Sequence, residues 1–116
     1  MVVVPAERFD ELVAEALDAL PDWILRQMDN VEITVEEHPP DDQPSLLGHY
    51  HGIPLSNRGI GYAGVLPDRI TLYRSTLQAS SRDADDLRRQ VSHTVAHEIA
   101  HHFGISDDRL REIDAY

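Results

Sequence analysis

The stretch from Leu87 to Phe103 constrains the fold of this chain more than any other. Leu87, Val91, Val95 and Ile99 recur every four residues, the spacing that lines one side of an α-helix. Ala96, Ala100 and Phe103 fall on another side of its last turns. Histidines apart, Glu98 is the only chargeable residue between Arg89 and Asp107. A helix with so little polar surface is expected at the centre of a domain, with the other elements packed around it.

The polar residues in that buried half are therefore informative. His97, Glu98 and His101 form the pattern H-E-x-x-H. Histidines four apart on a helix direct both imidazoles to one spot, which suits two corners of a tetrahedral zinc site. A glutamate inside such a helix is costly without a partner. Glu98 turns toward the same spot, where it can hold a water bound to the metal. Zinc lowers the pKa of that water to about 7, and the carboxylate can take its proton and later return it. The pattern reads as metal-assisted hydrolysis, most often of a peptide bond.

Because H-E-x-x-H also occurs by chance in helices without metal, the residues that follow matter. Gly104 lies just past the second histidine, where a glycine can adopt a left-handed conformation and turn the chain sharply. Three residues later comes Asp107, which this turn can bring back to the metal. His97, His101 and Asp107 then make three protein ligands and leave a fourth position for water, as in catalytic sites. Ser106 or Asp107 would also suit the N-cap of a last short helix, and Asp108 is the alternative ligand.

The run H-E-x-x-H-x-x-G-x-x-D resembles the metzincin motif with aspartate as third ligand, the variant of snapalysin-type peptidases. The flanking text resembles the small bacterial metzincin-like zincins of minimal fold. It consists of Leu47-Gly48-His49-Tyr50-His51-Gly52-Ile53-Pro54-Leu55, Leu66-Pro67-Asp68-Arg69-Ile70-Thr71-Leu72-Tyr73-Arg74, and His93-Thr94-Val95-Ala96-His97-Glu98 through Leu110. The resemblance implies a single α+β zincin-like domain over residues 1–116. Its implied cofactor is Zn2+ on His97, His101 and Asp107, with Glu98 as the catalytic base and a peptide or unfolded protein as substrate. It further implies a motif helix beneath a small mixed sheet, with an antiparallel edge strand beside the cleft. Residues 46–51 are the candidate for that strand, to which an extended peptide can add through main-chain hydrogen bonds.

The chain departs from the metzincin pattern in one respect. Metzincins carry a methionine-containing turn under the metal, downstream of the third ligand, whereas the only methionines here are Met1 and Met28. This departure keeps a second function class open, a metal-bearing module that binds a peptide or protein with little or no turnover.

The remaining histidines are read separately. His93, one turn before His97, is expected to line the cleft rather than to ligate. His102 follows Glu98 by four and is placed either to hydrogen-bond to it or to pack. His49 and His51 alternate along a strand and so share one face, with solvent-facing strand chemistry the expected role. Tyr62 and Tyr116 are the candidates for a second donor to the developing oxyanion.

Composition frames these readings. A chain of 116 residues with 41% hydrophobic content suits one globular domain with a modest core. The formal charge of −11, from 10 basic and 21 acidic residues, disfavours nucleic acid and anionic membrane as partners. With no cysteine, disulfides and thiolate metal sites are excluded. Neither a signal peptide nor a membrane span is visible, so a cytoplasmic address is expected.

Along the chain, Ala6 to Leu20 reads as a helix with Phe9, Leu12, Val13, Ala16, Leu17 and Leu20 on one side, stopped by Pro21. Trp23 to Leu25 reads as a turn or helical extension. Val31 to Glu36 alternates as a half-buried strand, and a proline-rich loop follows at residues 39–44. Leu46 to His51 and Arg69 to Arg74 are further strands, the latter with Ile70 and Leu72 alternating against Thr71 and Tyr73. The glycine-rich segment 54–67 reads as a loop beside the cleft, and a short helix is expected at the C-terminus. The order helix, strands, long helix, short helix is that of an α+β domain.

Overall fold

The first element forms where apolar residues recur at helical spacing. In the computed structural model, which describes residues 1–28, 30–52, 68–106 and 108, helix α1 spans Ala6–Asp18 and buries Phe9, Leu12, Val13 and Ala16. It ends two residues before the expected Leu20. Pro21 disfavours helical geometry at the residue before it, and the last turn closes instead through Leu20 N–H to the Leu17 carbonyl. Trp23 and its neighbours form a short helix of their own, α2 (Asp22–Gln27), which starts directly after Pro21.

Strands β1 (Val31–Glu36), β2 (Gly48–His51) and β3 (Asp68–Tyr73) form one sheet in the order β1-β3-β2. β1 runs parallel to β3, with Ile33 opposite Ile70 and Val35 opposite Leu72. β2 runs antiparallel to β3, with Gly48 opposite Leu72 and Tyr50 opposite Ile70. The sheet is therefore mixed, and among the described strands β2 is the antiparallel one at its edge. The regular strand begins at Gly48 rather than Leu46, although Tyr73 N–H still donates to the Leu47 carbonyl.

β3 departs from the simple alternation read in its sequence. Ile70 and Leu72 are buried, as expected, but so are Asp68, Thr71 and Tyr73, and only Arg69 is exposed. As the central strand it has neighbours on both edges, and the Thr34 and Thr71 hydroxyls pair across to β1 at 3.1 Å. Arg74, read as the end of this strand, instead opens helix α3 (Arg74–Ser80). Long-range contacts hold that helix. The N-terminal arm donates from Val2 N–H to the Gln78 carbonyl and from Val4 N–H to Gln78 Oε1.

Helix α4 (Ala84–His102) is the centrepiece. Its stripe of Leu87, Val91, Val95 and Ile99 is buried against Phe9, Leu12 and Val13 of α1, Ile70 and Leu72 of β3, and Leu77 of α3. Asp83 caps its start by accepting from Asp86 N–H at 2.8 Å, while Asp86 accepts in return from Arg82 N–H at 2.9 Å. At the other end Gly104 has φ of 86°. Ile105 N–H donates to the Ala100 carbonyl and Gly104 N–H to that of His101, the paired bonds of a glycine-terminated helix. The sharp turn expected at Gly104 is present. This is a small α+β domain, a mixed sheet with three strands among the described residues packed on a long helix, and that matches the expected fold class. The expected C-terminal helix and the glycine-rich loop lie outside the described residues, Asp108 excepted.

Candidate metal centre

The last three turns of α4 bring His97, Glu98 and His101 together. One donor atom from each lies within 4.8 Å of the other two, and the two imidazole rings stand 4.7 Å apart, tilted 71° to one another. Glu98 is buried, whereas His97 and His101 are half-buried, so the carboxylate sits beneath a pair of accessible rings. His101 Nδ1 lies 3.0 Å from Glu98 Oε1. In the tautomer that donates from Nδ1 to this carboxylate, Nε2 keeps the lone pair that a metal requires. Two imidazoles with a carboxylate beside them are a donor set that suits zinc.

Asp107, the expected third ligand, lies outside the described residues. The structure describes the turn that leads toward it: after His102 the chain reverses through Phe103 and Gly104. Asp108, the alternative ligand, is exposed. Tyr62 and Tyr116 also lie outside the described residues.

A pocket of about 280 Å³ opens beside the cluster. Ser45, Leu46, Leu47 and Gly48 form one wall, and His93, Thr94, His97 and Glu98 of α4 form the other. His93 is exposed and lines this cleft, as its place one turn before His97 suggested. The walls approach closely because position 48 has no side chain. A Cβ there would meet Thr94 Cγ2 at 2.8 Å and the Thr71 carbonyl oxygen at 3.1 Å, so glycine is what lets the edge strand lie against the helix.

His49 and His51 do share a face of β2, with rings 4.2 Å apart in an edge-on arrangement. Burial, followed by the fields of His51 and His101, holds His49 below the ordinary histidine range and favours its neutral form.

The position of His102 resolves the two roles read for it. It is fully buried, and its Nδ1 lies 2.9 Å from Asp68 Oδ2, while the Tyr50 hydroxyl donates to the same oxygen. The ring packs against Tyr50 and Phe103, and the histidine bonded to Glu98 through Nδ1 is His101. Asp68 and Tyr50 were not among the residues singled out from the sequence. Their one local signal is a buried aspartate opening the strand that carries Ile70 and Leu72 into the core. Its partner His102 lies 34 residues away.

Comparisons with known proteins identify the family and the fold. The family model described as zincin-like metallopeptidase matches residues 28–116, which include every residue of the cluster. The solved structure of a conserved hypothetical protein from Thermus thermophilus superposes with a TM-score of 0.63 at 25% sequence identity. The match covers 86% of this chain and 94% of that one. No curated protein sequence matches the chain significantly.

Proposed function

The chain belongs to the zincin-like metallopeptidase family, and from that premise we propose that it is a zinc-dependent peptidase whose general base is Glu98. His97 and His101 hold the ion, with Asp107 as third ligand in the metzincin-like, snapalysin-like form of the site. The observation that carries this reading is the convergence of His97, Glu98 and His101 on helix α4. Bound zinc would acidify the attacking water to a pKa of about 7 and polarise the scissile carbonyl.

This chain's own residues do the rest. Glu98 accepts a proton from the attacking water and delivers it to the departing amine. His101 donates through Nδ1 to Glu98 Oε1, which aims the carboxylate and commits the opposite ring nitrogen to the ion. Among the described strands β2 is bonded on one side only, so an extended peptide can pair along its outer edge and lie over the cluster. A peptide or unfolded protein segment is the substrate class that such an edge selects. No helix among the described residues is long and apolar enough to cross a membrane. A chain without cysteine needs no oxidising compartment, and we assign its action to the cytoplasm.

The test is turnover of a broad peptide library by the wild type and by Glu98→Gln, alongside metal analysis of both. The variant is expected to retain about one zinc per chain while its rate falls by about 10²- to 10⁴-fold. Equal background rates in both proteins, with zinc bound, would replace the peptidase with a metal-bearing binding module.

A further inference from the structure

Three elements meet at one buried carboxylate. Asp68 opens the central strand β3 and is only 2% exposed, and His102, the last residue of α4, is fully buried. Tyr50 lies on β2 opposite Ile70, which makes it the diagonal neighbour of Asp68 on the same face of the sheet. Asp68 Oδ2 accepts from the Tyr50 hydroxyl and from His102 Nδ1, and those two donors are themselves 3.5 Å apart. At helical spacing, position 102 continues the stripe of Leu87, Val91, Val95 and Ile99. A leucine there would satisfy the core without burying polar groups, whose desolvation is unfavourable. What histidine adds is direction. Apolar packing tolerates a small roll of a helix about its axis, whereas a hydrogen bond to a fixed strand does not.

We propose that Asp68, His102 and Tyr50 are positioning residues for the metal centre: by tying the last turn of α4 to β3 and β2, they set the direction of His101 and its distance from the edge strand. The inference rests on the zinc-site reading given above. Its leverage comes from adjacency. His101 precedes His102 directly, and Gly104, where the chain turns toward Asp107, follows two residues later. A roll of about 10° at this turn would carry an imidazole nitrogen sideways by roughly 1 Å, beyond the tolerance of about 0.5 Å within which a preorganised site works. The same lock joins the helix to β2. Gly48 presses that strand against Thr94 at one end and Tyr50 fastens it to Asp68 at the other. Strand and helix are thereby held as the two walls of one cleft.

The test compares His102→Leu with His102→Asn, because packing and positioning predict opposite orders. Leucine fills the core but offers no donor, whereas the asparagine amide can present an N–H close to where Nδ1 stood. Zinc affinity is measured by chelator competition, and the geometry of the site by the visible absorption of the cobalt-substituted protein. His102→Leu is expected to weaken zinc binding by about 10- to 100-fold and to alter the cobalt spectrum, the loss typical when a group supporting a metal ligand is removed. His102→Asn is expected to recover most of both, even where it is the less stable protein. Tyr50→Phe, which deletes one hydroxyl, should fold and lower affinity in the same direction by a smaller factor. Leu12→Ala in α1 is the control, destabilising the core away from the lock and leaving affinity unchanged. Wild-type affinity and spectrum in His102→Leu and Tyr50→Phe, or affinity that follows stability across all four variants, would overturn the proposal while leaving the zinc site standing. Wild-type protein that binds no zinc would overturn both.

Discussion

At Gly104 the backbone has φ of 86°, where a Cβ crowds the adjoining carbonyl, and the chain leaves α4 there in the direction of Asp107. Replacing this glycine tests whether the turn serves the metal or only ends the helix. Gly104→Ala is expected to lose about 1–2 kcal/mol of stability in denaturant unfolding, and Gly104→Asn less, because asparagine tolerates the left-handed region better. If the turn delivers the third ligand, zinc affinity falls in the same order; unchanged affinity would leave Gly104 a helix terminator alone. Residues of this kind were legible in the sequence because their relations are local. His97, Glu98 and His101 meet through the pitch of one helix, and Gly104 acts on the turn that contains it. Asp68 was not legible, since its role depends on Tyr50 and His102, 18 and 34 residues away, and only the folded sheet brings the three together.

The elements divide along the same line. α1, β1 and α4 were readable from periodicity, because each packs one continuous apolar stripe against the core. α3 was not, for its seven residues carry too little pattern and depend on Gln78 holding the N-terminal arm. The burial of Thr71 and Tyr73 in β3 was hidden too, since a central strand is defined by neighbours its own sequence does not contain. Among these elements α4 bears the chemistry, and its start is held by capping side chains as well as by the packing of Leu87. Asp83 satisfies the Asp86 N–H, and two further acidic residues, Asp85 and Asp86, complement the positive end of the helix. Asp83→Ala should therefore cost about 0.5–2 kcal/mol in thermal or denaturant unfolding, with zinc affinity unchanged because the cap lies more than three turns from His97. A loss of zinc affinity in this variant would mean that the helix responds as one rigid body and that its two ends are not independent.

For the molecule as a whole, the metal centre and the stability of the fold are linked, because His97 and His101 are gathered only when α4 is folded against the core. An ion that binds the native chain and not the unfolded one stabilises it by about 2.7 kcal/mol at a hundredfold excess over its dissociation constant. For a domain of this size that is expected to raise the melting temperature by roughly 10 °C. The acidic surface complicates the measurement: a chain with a formal charge of −11 gains some stability from any divalent cation that screens its self-repulsion. Calcium at the same concentration separates the two effects, since it screens equally but disfavours imidazole ligands. The expected result is a large shift with zinc and a small one with calcium in the wild type. His101→Ala should reduce the zinc shift to the calcium level, and Asp83→Ala should keep the full shift from a lower starting temperature. Equal shifts with the two ions in the wild type would mean that zinc acts only on surface charge, and the proposed peptidase would then lack its metal.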